Sequence, residues 1–294
     1  MKLKGLLQQS GVGSKTIQLI SLSVMLVLLF SFISHWVTGG DYSDVRALKL
    51  AQFLQSVGLF ILPPLMLAYL WSNNSFEYLQ INRSPNSKSA MLVIIIMVLA
   101  IPGINLLGEL NHAIRFPDFL SSLETHLIDL EKKAEELTNK MLLVNTVPEL
   151  LLNIVLIAVV PAVGEELFFR GIIQKLLGEK LKAHAAVWIT AFIFSTIHFQ
   201  FFGFIPRLLL GALMGYLLVW TNNLWMPILA HFTNNAMAVV FFYLKSRGKT
   251  SLDLEHIGSA ETYIVGILSI VVVAVLIYLF RQFFAPSQSS KLVP

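Results

Sequence analysis

The chain contains no cysteine. That excludes a disulfide framework, a thiolate zinc site and a cysteine nucleophile. Charge is scarce as well: Asp, Glu, Lys and Arg make up 13% of the 294 residues, against about 25% in soluble domains. The zinc helix signature HExxH is absent, and so is any serine nucleophile signature. Hydrophobic residues fill the gap, at 56% of the chain, with a mean hydropathy of +0.73. A soluble core of this size cannot bury that much apolar surface, and a disordered or collagen-like chain would not carry it. The composition is that of a polytopic membrane protein whose first partner is the lipid bilayer. The net charge of +4 reads as basic cytoplasmic loops, with no nucleic-acid partner.

A transmembrane helix needs roughly 20 mostly apolar residues. Such runs fall at 17–36, 50–71, 91–108, 150–169, 183–202, 208–220, 226–244 and 262–280, so the fold class is an all-α bundle of about eight spans. The second run contains Pro63-Pro64, the third Pro102-Gly103, and the sixth is short. Lys2, Lys4 and Lys15 before the first span argue for a cytoplasmic N-terminus, and Arg83, Lys88, Arg170, Lys175, Lys180 and Lys182 agree with it. Residues 109–149 hold eight acids and four bases, as an external loop can. Lys245, Arg247 and Lys249 disagree, unless the short sixth segment fails to cross. The localisation expected is a bacterial cytoplasmic membrane.

Within that loop, Leu123, Leu127, Leu130, Ala134, Leu137 and Met141 recur at helical spacing. They predict an amphipathic helix packed on the bundle or lying in the interface. Gly211 and Gly215 form a small-xxx-small pair expected to pack the sixth span tightly inside the fold. Residues 285–294 read as a polar tail. The organisation expected is a tail over 1–15, membrane helices over 16–108, the amphipathic loop over 109–147, a catalytic core over 148–244, a loop and last span over 245–284, and the tail.

Charged side chains within hydrocarbon cost about 2.5–3.5 kcal/mol each on insertion scales, so each is a functional candidate. They gather in three segments: Glu165, Glu166 and Arg170; His198; and His231, Asn234 and Asn235. Glu166 and Arg170 stand i,i+4 in the favoured order for a salt bridge. Glu165 points about 100° away from Glu166. Phe194 and His198, and His231 and Asn235, are also i,i+4 pairs. Ser195 would face elsewhere. A carboxylate and an imidazole beside a water make a general-base pair. A second imidazole and an amide N–H are donors for an oxyanion. Glu165, His198 and His231 could instead ligate zinc, since two His and one Glu occur in catalytic sites. No acid stands beside either His in sequence to orient it as a metal ligand, which favours metal-free attack by a water.

Residues 161–171, PAVGEELFFRG, resemble the EExxxR motif of the CAAX protease and bacteriocin-processing family of intramembrane proteases. Residues 194–198, FSTIH, match its FxxxH motif, and residues 224–235, LWMPILAHFTNN, its HxxxN motif. The match covers residues 148–243. The resemblance implies an endopeptidase with an intramembrane catalytic cavity acting on a membrane-associated protein or peptide. Glu165 and His198 would then activate a water, while His231 and Asn235 complete the site at the oxyanion. Glu166, Arg170 and Phe194 would support it. The family is often called a metalloprotease, so a divalent metal is one expectation and no cofactor the other. Some relatives are linked to bacteriocin maturation or immunity. Two other classes fit the buried Glu/His cluster: a proton-coupled transporter or channel with helices broken at Pro63-Pro64 and Pro102-Gly103, and a non-catalytic membrane scaffold.

Overall fold

A computed structural model describes residues 3–285 apart from Asp253 and Glu255; the tail expected over 285–294 lies, beyond Ala285, outside the described residues. Those residues form an all-helical bundle with no strand among them. In chain order the helices are α1 (Val12–Thr38), α2 (Val45–Trp71), α3 (Ser87–His112), α4 (Ser121–Leu142), α5 (Val147–Gly178), α6 (Ala183–Thr196), α7 (Phe204–Thr221), α8 (Trp225–Ser246) and α9 (Tyr263–Phe284). Seven of them are long and apolar enough to cross a membrane; α6 is shorter, and α4 is polar. The protein is an integral, multi-pass membrane protein.

Contacts between connections show that the apolar helices alternate in direction. At one end, Lys15 pairs with Glu179 at 2.8 Å, Leu224 N–H donates to the Gln80 carbonyl, and the Asn223 amide donates to the Arg83 carbonyl. At the opposite end, Ala260 N–H donates to Glu109, the Asn105 amide to the Ile257 carbonyl, and Phe202 N–H to Glu131. Eight apolar helices thus run alternately between the two ends, of which seven, rather than the eight expected, are long enough to cross a membrane. α7 traverses too, so Lys245, Arg247 and Lys249 stand at the end that carries residues 109–149. The outer helices expose apolar side chains along their length, including Ile17, Leu28 and Phe32 on α1 and Leu268 and Val271 on α9.

Two spans differ from their hydrophobic runs. The fourth does not end near Glu165 and Glu166 but continues as α5 to Gly178, through π-helical turns at Ile154–Val159 and Phe169–Gln174. The charges interrupt the hydropathy, not the helix. The fifth ends at Thr196, after about 21 Å of rise. His198 therefore follows the helix, in a segment where Phe199 takes a φ of 53°. Non-helical backbone at membrane depth is tolerated where protein surrounds it.

The prolines are accommodated locally. A π-turn at Val57–Ile61 precedes Pro63-Pro64 and absorbs the missing N–H. At Pro102, the Ser269 hydroxyl of α9 accepts from Gly103 N–H at 3.0 Å and donates to the Leu99 carbonyl at 2.5 Å. α9 thereby satisfies the backbone groups at that break. Gly211 and Gly215 face inward as expected: a Cβ at Gly211 would lie 3.3 Å from Ala191 Cα, and one at Gly215 2.7 Å from Gln174 Oε1.

α4 is the amphipathic helix expected. Its apolar stripe is partly covered, with Met141 buried, Leu127, Leu130 and Ala134 half-buried, and Leu123 and Leu137 exposed. Ile128, Glu131, Glu135, Thr138 and Leu142 line a cavity between α4, α3 and α8.

Candidate active site

α5 brings Glu165, Glu166 and Arg170 into the bundle centre. Pro161, near the start of its middle α-helical stretch, has no N–H for the Ile157 carbonyl one turn back. The side-chain amide of Asn235 reaches that carbonyl from α8, at 3.5 Å. The second π-turn begins at Phe169, so Arg170 sits where the ladder is widened. π-turns of this kind concentrate at functional sites.

The Glu166–Arg170 ion pair forms at 2.7 Å with both side chains fully buried. Arg170 also donates to the Gly211 carbonyl at 2.8 Å and lies 4.8 Å over the Phe194 ring. This pair is more than a support between neighbouring turns. The same Glu166 Oε1 meets His231 Nδ1 at 2.9 Å. A carboxylate already paired with arginine accepts, so Nδ1 donates to it and Nε2 is turned to the other side of the ring. That nitrogen faces Glu165 Oε2 at 3.9 Å. The acid expected to be missing beside a histidine is therefore present. Glu166 orients His231 through space, from a different helix, where sequence adjacency could not reveal it.

His198 stands differently. Its Nδ1 bonds the Phe194 carbonyl at 2.7 Å, closing the end of α6 as a C-terminal cap. No acid lies within ion-pairing distance of it among the described residues. Phe194 separates the two imidazoles, edge to face with His198 at 4.9 Å and with His231 at 6.0 Å. It is His231, not His198, that the structure brings against Glu165. Asn235 meets the Ile157 carbonyl and the Asn234 amide. Ser195 faces away, its hydroxyl donating to the Phe204 carbonyl at 2.8 Å.

The segment carrying His198 is held from outside the motif region, by residues that no motif or periodicity marks. Asn111 at the end of α3 is 1% exposed. Its amide donates to the Phe201 carbonyl at 3.0 Å and its oxygen accepts from Ile205 N–H at 2.7 Å. His112 stacks on Phe202 at 4.6 Å, and Glu131 of α4 accepts from Phe202 N–H at 3.1 Å.

A zinc site would place Glu165, His198 and His231 donors about 2.0–2.2 Å from one point. No three His, Cys, Asp or Glu side chains among the described residues gather closely enough to hold a metal ion. The trio does not fit a ligand set as arranged. A cavity of about 980 Å³ adjoins the site, bounded by α3, α4 and α8. Gln200 and Asn234 mark its inner limit, and none of Glu165, His198, His231 and Asn235 lines it. Around them, Phe194 meets both His198 and His231, and the Glu166–Arg170 pair meets His231.

Residues 147–237 match the family described as type II CAAX prenyl endopeptidase Rce1-like. All seven motif residues, Glu165, Glu166, Arg170, Phe194, His198, His231 and Asn235, fall inside that region, so the family match and the resemblance carried by the three motifs coincide. Among curated proteins, "Uncharacterized protein YpbD" of Bacillus subtilis (strain 168) is 28% identical over 113 residues, covering 37% of this chain and 55% of that protein. "Putative membrane peptidase YdiL" of the same organism is 27% identical over 119 residues, covering 40% and 48%. The chain thus spans about half the length of the curated relatives it matches. No solved structure matches.

Proposed function

We propose that the protein is an intramembrane endopeptidase of a bacterial cytoplasmic membrane that hydrolyses a peptide bond in a membrane-associated protein or peptide. The observation that carries this reading is the opposition of Glu165 Oε2 and His231 Nε2 at 3.9 Å, with His231 held by the buried Glu166–Arg170 pair. Both facing atoms are acceptors. A water between them donates one hydrogen to each and turns a lone pair outward. The water oxygen bonds the substrate carbonyl carbon as Glu165 takes its proton. The C–N bond then breaks, and the amine leaves with a proton returned through the Glu165–His231 pair. The second N–H of each of Asn234 and Asn235 is the donor left for the substrate's carbonyl oxygen, and His198, whose Nδ1 donates to the Phe194 carbonyl, offers Nε2 as an acceptor for a substrate backbone N–H. The family match and the name of the second relative support a peptidase; the residue roles are our own reading. The test compares new protein N-termini in cells making the natural chain and Glu165→Gln. Termini in membrane proteins that depend on Glu165 are expected; identical termini in both would overturn the reading.

A further inference from the structure

The cavity beside the site is roofed by a helix outside the matched region, and its walls differ in character. α4 turns Glu131, Lys132, Glu135, Thr138 and Asn139 toward it. The opposite wall is apolar, from Ile101 and Ile104 of α3 and Met237 and Phe241 of α8. From Ser246 at the rim to Asn234 at the inner limit, α8 descends about 18 Å. Asn234 donates to Asn235 Oδ1 at 3.2 Å, and Gln200 follows His198 by two residues. The volume of about 980 Å³ stands at the top of the ~300–1,000 Å³ range for ligand sites. An acyl chain has no use for a polar roof, whereas an extended peptide has backbone N–H and C=O groups for it and side chains for the apolar wall.

The geometry points to this cavity as the substrate's entrance, taking an extended peptide segment beneath α4 from the end of the bundle opposite Lys15. It rests on the protease reading and adds the route and the form of the substrate. Glu131 belongs to the roof and also accepts from Phe202 N–H, so the helix that covers the peptide holds the segment carrying His198.

A photo-activated benzoylphenylalanine in place of Ala238, which lines the cavity, tests this in intact membranes. The same probe in place of Val271, exposed on α9, is the control. Both are made in the full-length Glu165→Gln chain, so that bound peptide persists. The expected result is a polypeptide adduct at Ala238 severalfold above Val271, mapping beside a bond that is cut only in cells with intact Glu165. A lipid adduct at Ala238, or polypeptide no more abundant than at Val271, overturns the entrance; Glu165-dependent termini would then still uphold the protease. Polypeptide adducts from proteins that are never cut overturn both.

Discussion

At the scale of single residues, the two adjacent glutamates have opposite duties. Glu166 is fully buried with Arg170 and His231 around it; Glu165 keeps an exposed edge, 14% of its side chain. Glu165→Gln preserves size and hydrogen bonding but removes the base, so turnover should fall by about 10²–10⁴-fold while folding persists. Arg170→Ala leaves Glu166 uncompensated, which should cost about 3–5 kcal/mol of stability and free His231 to rotate. Thermal melts of the two purified variants decide between these roles: a stable Arg170→Ala and an aggregating Glu165→Gln would reverse them. Elemental analysis of chelator-free protein addresses the metal, with substoichiometric zinc expected. One equivalent, lost with activity in His231→Ala, would require the trio to close around an ion.

The helices set how tightly those residues are held. Gly215 on α7 lies where a Cβ would come within 2.7 Å of Gln174 Oε1 and 2.9 Å of Val187. Gly215→Ala should therefore overpack this contact and cost about 1–3 kcal/mol. Gly108 in α3 has nothing within 4 Å of its Cβ position, and Gly108→Ala should raise stability by up to about 1 kcal/mol. A melting comparison in one detergent checks both signs. Elements of this kind were legible in the sequence because hydropathy and spacing report directly on helices. The motif residues were legible as polar atoms placed where lipid makes them expensive. Three things were hidden. The Glu166–His231 bond joins helices 65 residues apart. The end of α6 before His198 depends on a left-handed residue at Phe199, inside an unbroken apolar run. The Asn111 clamp joins α3 to a segment it does not resemble. Each is a tertiary contact with no local periodicity behind it.

Across the whole molecule, the alternation of helix directions fixes two ends, and the absence of cysteine makes them directly measurable. Ser84 and Lys182 belong to one end, with Lys15; Asp41, His126 and Lys249 belong to the other, with the cavity rim. The basic residues before α1 and after α2 and α5 would place the first end in the cytoplasm, although basic residues also follow α8. Residues 109–149 at the second end carry eight acids, but acids contribute little to orientation. The decisive quantity is therefore which positions share a side. Single cysteines at these five positions have no background thiol to compete with. A membrane-impermeant maleimide applied to intact cells should label Asp41→Cys, His126→Cys and Lys249→Cys, and reach Ser84→Cys and Lys182→Cys only after permeabilisation. The inverse pattern would keep the fold and turn the cavity toward the cytoplasm. Lys249→Cys grouping with Ser84→Cys would mean that α8 does not traverse. His231 would then lose the path along α8 that connects its turn to the cavity, and the entrance would have to lie elsewhere.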